Sequence, residues 1–235
     1  MSRSCDTGML PRLAICPCKE SCCNVDPPPH NVHSPKVTAS PMSARMESLD
    51  TWPRQHRLTA DEYYRMAEVG LLAPDARVEL IEGVIIDMAP IGNDHNSVVS
   101  QLTHLFVHAV GDRGVVRVQS SLRISEWSVP EPDLAILAAS PDFYRKAGPT
   151  LAEMLLIVEV SDSTLAYDRD VKMPLYARHG IPETWIVDLQ HNELRVYRKP
   201  QDGQYLDQHV TSAPGIVEPA ALAGVAVDLS RLLTG

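Results

Sequence analysis

Two apolar runs in this chain each carry a carboxylate: Glu131-Pro132-Asp133-Leu134-Ala135-Ile136-Leu137 and Leu155-Leu156-Ile157-Val158-Glu159-Val160-Ser161. Both have the length and composition of strands that pack in a core. An ionised carboxylate held in such a run costs several kcal/mol unless a cation or good hydrogen bonds compensate. A fold that accepts both runs must therefore bring counter-charge to them. Side chains alternate across a strand, so Glu159 shares a face with Leu155 and Ile157, and Asp133 with Ala135 and Leu137. Paired as antiparallel neighbours, the two strands set both acids at one end of a sheet. That pair suits a hard divalent cation such as Mg²⁺, which takes one or two carboxylates together with waters and phosphate oxygens. Asp168-Arg169-Asp170-Val171-Lys172 follows as a polar segment, and its lysine points to chemistry on a phosphate. The combination predicts a metal-dependent nuclease.

The 235 residues are enough for one core with a tail to spare. A net charge of −9 argues against a polycation that coats nucleic acid, although a carboxylate metal site with a local basic groove is compatible with it. No apolar run approaches the ~20 residues of a bilayer-spanning helix. Met9 to Ile15 is too short, and too broken by Pro11 and Arg12, for a signal-peptide core. A cytoplasmic protein without membrane contact is the expectation. All five cysteines fall within the first 23 residues, so no disulfide framework holds the rest. Cys16-x-Cys18-x3-Cys22-Cys23, with His30 and His33 beyond, has donors for a soft metal. It lacks the paired Cys-x2-Cys spacing and apolar core of common zinc modules. Pro27-Pro28-Pro29 and the Ser/Pro/Thr-rich stretch to Ser43 have linker composition. Residues 1–50 thus read as a disordered Cys/Pro-rich leader, or as an upstream extension of a start at Met42 or Met46. Residues 51–235 read as one domain.

Within that domain, Thr59 caps a short helix through a capping box with Glu62, ending near Gly70. Arg77 to Ile81 and Val84 to Met88 flank Glu82-Gly83 as a hairpin. A helix is expected from Asn96 to Val110, where Val98, Val99, Leu102, Leu105, Phe106 and Ala109 recur at helical spacing. Val115 to Ile124, Asp133 to Leu137 and Met154 to Val160 read as strands, with a polar loop or short helix containing Asp142, Arg145 and Lys146 between the last two. A helix near Asp170 to His179 is closed by Gly180. Strands at Thr184 to Asp188, Leu194 to Arg198 and Gln204 to Val210 complete an α/β domain, a mixed central sheet flanked by helices. His104 and His108 read as a polar helix face. Arg195, Arg198 and Lys199 form a small basic group, either a phosphate contact or a solvated hairpin.

Arg77-Val78-Glu79-Leu80-Ile81-Glu82-Gly83, Glu131-Pro132-Asp133, Val158-Glu159-Val160-Ser161-Asp162-Ser163-Thr164, Asp168-x3-Lys172-x3-Tyr176 and Gly180-Ile181-Pro182-Glu183-Thr184-Trp185-Ile186-Val187-Asp188 together resemble the Uma-two family. Its members are restriction-endonuclease-like proteins, common in bacteria and plentiful in cyanobacteria. The resemblance runs from about Leu58 to Leu233 and leaves out the Cys-rich leader. It implies the PD-(D/E)-x-K nuclease fold, with Asp133 and Glu159 at the two acidic positions. Ser161 stands where that fold usually carries its lysine. In this family the lysine is thought to have moved to the following helix, which matches Lys172. Glu79 matches the acid of the early block and is expected to touch the metal or support its ligands. His95 matches a histidine at the start of the long helix, with capping or hydrogen bonding as the other reading. Pro174 disfavours helical geometry at Met173. A helix beginning at Asp170 tolerates it in the first turn, whereas an earlier start would kink the helix and redirect Lys172.

The expected protein is a Mg²⁺-dependent (or Mn²⁺-dependent) DNA endonuclease that hydrolyses phosphodiester bonds. Asp133, Glu159 and the Val160 carbonyl would hold the metal, Lys172 and Glu79 would assist, and His95 and Ser161 would be accessory. Homodimers are common among such nucleases. The alternative is a catalytically inactive nuclease-like scaffold that binds nucleic acid or protein.

Overall fold

A computed structural model of the chain describes residues 55–233, so the expectations for the leader lie outside the described residues. Thr59 starts the first helix, α1 (Ala60–Glu68), through the reciprocal capping box with Glu62. The box satisfies two backbone donors that a helix leaves unpaired. The hairpin forms as its sequence predicts, β1 (Val78–Ile81) pairing antiparallel with β2 (Val84–Asp87). Its turn residues have φ of 51° at Glu82 and 81° at Gly83, the geometry whose twist matches the flanking strands. A Cβ at Gly83 would also meet the Arg57 side chain at 2.5 Å. The long helix, α2 (Asn93–Val110), begins three residues before the expected Asn96. It buries Val98, Val99, Leu102 and Phe106.

Six strands make the central sheet, in the order β3-β4-β5-β6-β7-β8. They are β3 (Gly114–Val118), β4 (Leu134–Ala138), β5 (Met154–Ser161), β6 (Glu183–Asp188), β7 (Glu193–Gln201) and β8 (Gln204–Thr211). Only β5 and β6 are parallel; the other neighbours are antiparallel. A parallel pair needs a crossover. Here it contains α3 (Leu165–Tyr167), a π-helical turn (Asp168–Lys172) and α4 (Met173–Arg178). The result is the mixed, helix-flanked α/β sheet expected from sequence. One face, carrying Leu134, Ile136, Leu156, Val158 and Trp185, packs on α2. A short final pair, β9 (Ile216–Val217) with β10 (Val227–Asp228), closes that side. The opposite face, with Ala135, Leu137, Ile157 and Ile186, packs on Leu175 and Tyr176 of α4.

One strand is shorter than its alternation predicts. β3 stops at Val118 rather than Ile124 because Gln119 turns with φ 44° and gives its N–H to the Asp133 carbonyl. Leu122 and Ile124 then bond back to Pro130 and Ser128. Their alternation marks a tight return of the chain, not a longer strand. The polar segment after β4 is a loop that ends in a 3₁₀ turn at Leu151–Glu153, capped by Thr150. The basic group of β7 is not free for phosphate: Arg195 faces Asp188 and Glu193, Arg198 faces Glu183, and Lys199 faces Asp207. His104 and His108 lie exposed on α2 with ring centres 4.3 Å apart. Among the described residues no helix is long and apolar enough to cross a membrane.

Candidate active site

Strand register decides where the two acids go. Leu134 faces Val158 across β4 and β5, and one further step sets Asp133 against Glu159. By alternation both side chains point to the α4 face, beside Ala135 and Ile157. The next step sets Pro132 opposite Val160. An antiparallel pair would exchange two hydrogen bonds there, but Pro132 has no N–H to give. The Val160 N–H turns instead to Asp133 Oδ2, at 2.9 Å. The Val160 carbonyl, on the same strand edge, receives nothing from Pro132. His95, in the first turn of α2, donates from Nε2 to Asp133 Oδ2 at 3.1 Å, and the Gln119 amide reaches Oδ1 at 3.2 Å. The other ring nitrogen of His95, Nδ1, is buried without a hydrogen-bond partner.

Lys172 enters from the crossover. Its Nζ lies 3.2 Å from Glu159 Oε1, 3.2 Å from Glu79 Oε2 and 4.0 Å from Asp168 Oδ1. The helical segment starts at Leu165, ahead of the expected Asp170. The feared misdirection of Lys172 does not follow, because the Met173 N–H reaches back to the Asp168 carbonyl in a widened turn. That extra residue accommodates Pro174 at the start of α4 and leaves Lys172 pointing inward. Tyr176 donates to Glu159 Oε1 at 2.6 Å, and Tyr167 to Glu79 Oε1 at 3.0 Å. Asp168 Oδ2 accepts from Ser161 Oγ at 2.7 Å and Thr164 Oγ1 at 2.6 Å. Glu79 Oε2 also accepts from the Glu131 N–H at 3.1 Å, tying the early hairpin to the Glu-Pro-Asp segment.

The electrostatics are those of too many carboxylates for one ammonium. Burial is the main reason the Glu159 carboxyl rises to a pKa of about 8. Lys172 pulls it down, while Asp168, Asp133 and Glu79 push it up again. Burial also raises Asp168. Burial alone would discharge Lys172, but Glu159, Glu79 and Asp168 outweigh it and hold its pKa above the ordinary lysine value.

A cleft of about 390 Å³ opens over this group, lined by Arg77, Glu79, His95, Asp133, Glu159 and Lys172 among others. Among the described residues, no three His, Cys, Asp or Glu side chains form a ready-made metal cage. The donors left over are of a different kind. Glu159 directs only Oε1 at Lys172 and Tyr176, which leaves Oε2 without a hydrogen bond. Asp133 Oδ1 meets only Gln119, and the Val160 carbonyl lacks its ladder donor. Such hard oxygens fit Mg²⁺ or Mn²⁺, since Mg²⁺ usually keeps several waters and binds through one or two carboxylates plus substrate phosphate.

The structure thus gathers Glu79, Asp133, Glu159, Val160, Lys172 and His95 around one cleft. Ser161 is wholly buried behind it, bonded to Asp168. Sequence reasoning gave no role to Tyr167, Asp168 or Tyr176. For Asp168 and Tyr176 the available signal was spacing, since each stands four residues from Lys172. Tyr167 offered none.

A family model for Uma2, described as "Putative restriction endonuclease", matches residues 60–230. A Synechocystis sp. protein described as "Uncharacterized protein sll1609" is 28% identical over 154 residues, which are 63% of this chain and 85% of that protein. A crystal structure described as "a putative nuclease belonging to DUF820", from Anabaena variabilis, aligns with a TM-score of 0.58 at 17% identity. The alignment covers 75% of this chain and 98% of the other, and it shows a shared fold.

Proposed function

The chain belongs to the Uma2 family, and on that premise we propose that it is a DNA endonuclease working with Mg²⁺ or Mn²⁺. The observation that carries this reading is the register that opposes Asp133 and Glu159 beside a Val160 carbonyl stripped of its partner. Those three groups would hold the ion. A metal bound there supplies a water of lowered pKa and polarises the scissile phosphate. Glu79 and Tyr176 fix the positions of Lys172 and Glu159. The Lys172 ammonium orients the attacking water or balances charge growing on the phosphate oxygens. The water oxygen bonds to phosphorus, the P–O3′ bond breaks, and the water's protons end on the 3′-oxygen and in solvent. The products are a 5′-phosphate and a 3′-hydroxyl.

Plasmid cleavage should require Mg²⁺ or Mn²⁺, stop in EDTA, and fall about a thousandfold in Asp133→Ala and in Glu159→Ala. Undiminished cleavage by both variants rules this site out. A second reading, the inactive nuclease-like scaffold, draws on one feature: Lys172 already bridges Glu79 and Glu159, so the cleft has a resident cation. On that reading Mg²⁺ leaves the melting temperature of the protein unchanged.

A further inference from the structure

The loop between β4 and the Thr150 cap carries more backbone strain than a solvent loop needs. Phe143 and Tyr144 are consecutive, and both are left-handed, with φ of 54° and 61°. Neither is a residue that tolerates this cheaply, and such strain persists only where surrounding structure imposes it. The imposing contacts are present. The Tyr144 N–H donates to Ser140 Oγ and Asp142 Oδ1, and its hydroxyl donates to the Ala138 carbonyl. Arg117 lies over its ring, 5.6 Å from the centroid. The effect is to bury Tyr144 and hold Phe143 outward, 71% exposed.

Arg117 thus stands over the Tyr144 ring, and Arg145 and Lys146 follow Tyr144 directly in the chain. Among the described residues none of the three is in an ion pair with a carboxylate, whereas Arg65, Arg123, Arg169, Arg178, Arg195, Arg198 and Lys199 all are. Two carboxylates share the loop: Asp142 accepts from Ser140 and the Tyr144 N–H, and Glu153 from Thr150, all neutral donors that leave both acids charged. In an acidic chain, this segment sets three cations against two carboxylates, a small positive excess next to the exposed Phe143. The loop leaves β4 at Ala138, the far end of the strand from Asp133, but Arg117 shares the sheet face of the cleft. Arg117 pairs with Ala135, which is one same-face step along β4 from Asp133.

We propose that this loop is a platform for a single-stranded or locally unpaired DNA segment, with Phe143 stacking on an exposed base and Arg117, Arg145 and Lys146 taking the flanking phosphates. Stacking on an aromatic ring beside a basic track is how strands are held without reading sequence. The proposal rests on the nuclease reading of the cleft and narrows its substrate to DNA with an unstacked base.

The test measures binding apart from cleavage, using the full chain in EDTA with a fluorescein-labelled single strand and its duplex. Phe143→Ala should weaken single-strand binding roughly tenfold, with a smaller effect on the duplex, and Phe143→Trp should restore it. The double variant R145A/K146A should flatten the salt dependence of log affinity by about one unit or more. An unchanged melting temperature for Phe143→Ala shows that the loss is not unfolding. Equal single-strand affinity of Phe143→Ala and wild type overturns the platform. So does a shift from dimer to monomer in Phe143→Ala with DNA affinity intact, which would make the loop a self-association contact. Phe143-dependent binding by a wild type that never cleaves keeps the platform and removes the nuclease. Metal-dependent cleavage with binding indifferent to Phe143 does the reverse.

Discussion

Glu159 and Glu183 sit on neighbouring strands, and both are buried, at 3% and 0% exposure. Glu183 spends both oxygens on the protein: Oε1 accepts from Trp185 Nε1 at 2.6 Å and faces Arg198 at 2.8 Å, and Oε2 accepts from the Ala220 N–H at 2.6 Å. Glu159 spends only Oε1, on Lys172 and Tyr176, and shares its surroundings with Glu79, Asp133 and Asp168. The first is a strut that pins the C-terminal segment to the sheet. The second has lone pairs left over and faces a cleft. A buried carboxylate is therefore not a site in itself. What distinguishes a site is coordination that the protein leaves unfilled.

The sharpest way to break this contrast is to neutralise each acid in turn. Glu159→Gln should abolish metal-dependent cleavage while keeping the Tyr176 bond and moving the melting temperature little. Glu183→Gln should retain cleavage below its melting point yet melt about 10 °C lower, because Arg198 and its neighbours lose a buried anion. Parallel cleavage assays and thermal melts would show the split, and equal destabilisation by both would erase it. A smaller effect is expected from the metal. Saturating Mg²⁺ should raise the melting temperature by several degrees in wild type and in Glu183→Gln, but not in Glu159→Ala. A shift in all three places the ion elsewhere, and a shift in none favours the scaffold reading.

The smallest effect is a pH dependence of the metal-free protein. Unfolded, Glu159 loses its proton near the ordinary 4.5; folded, it keeps the proton up to about 8. Between those values the folded state holds the extra proton, so this group makes stability fall as pH rises through that window. Denaturation midpoints in EDTA should show the fall in wild type and lose most of it in Glu159→Gln.

Much of this was readable from residues because local rules and the fold agreed. Thr59 with Glu62, the Glu82-Gly83 turn and the acids inside apolar runs each follow from short-range chemistry. Where the chain departed from expectation, a distant contact decided. Val115 to Ile124 alternates throughout, yet Gln119 leaves the strand because its backbone and amide are both drawn to Asp133. Pro174 gave warning of a disturbed helix, but not that a widened turn would absorb it and keep Lys172 inward. Tyr167 reaches Glu79 across 88 positions of the sequence, a pairing that no local pattern encodes. The roles assigned to Asp133, Glu159 and Lys172 rest on the experiments above.

Pro132 has a consequence for how freely this protein can be stabilised. Any amino acid with an N–H at that position could extend the β4–β5 ladder by one rung and satisfy the Val160 carbonyl. The variant would gain a hydrogen bond and, under the proposed reading, give up a ligand. Evolution toward a sturdier sheet and evolution toward a working nuclease would then pull this single imino acid in opposite directions.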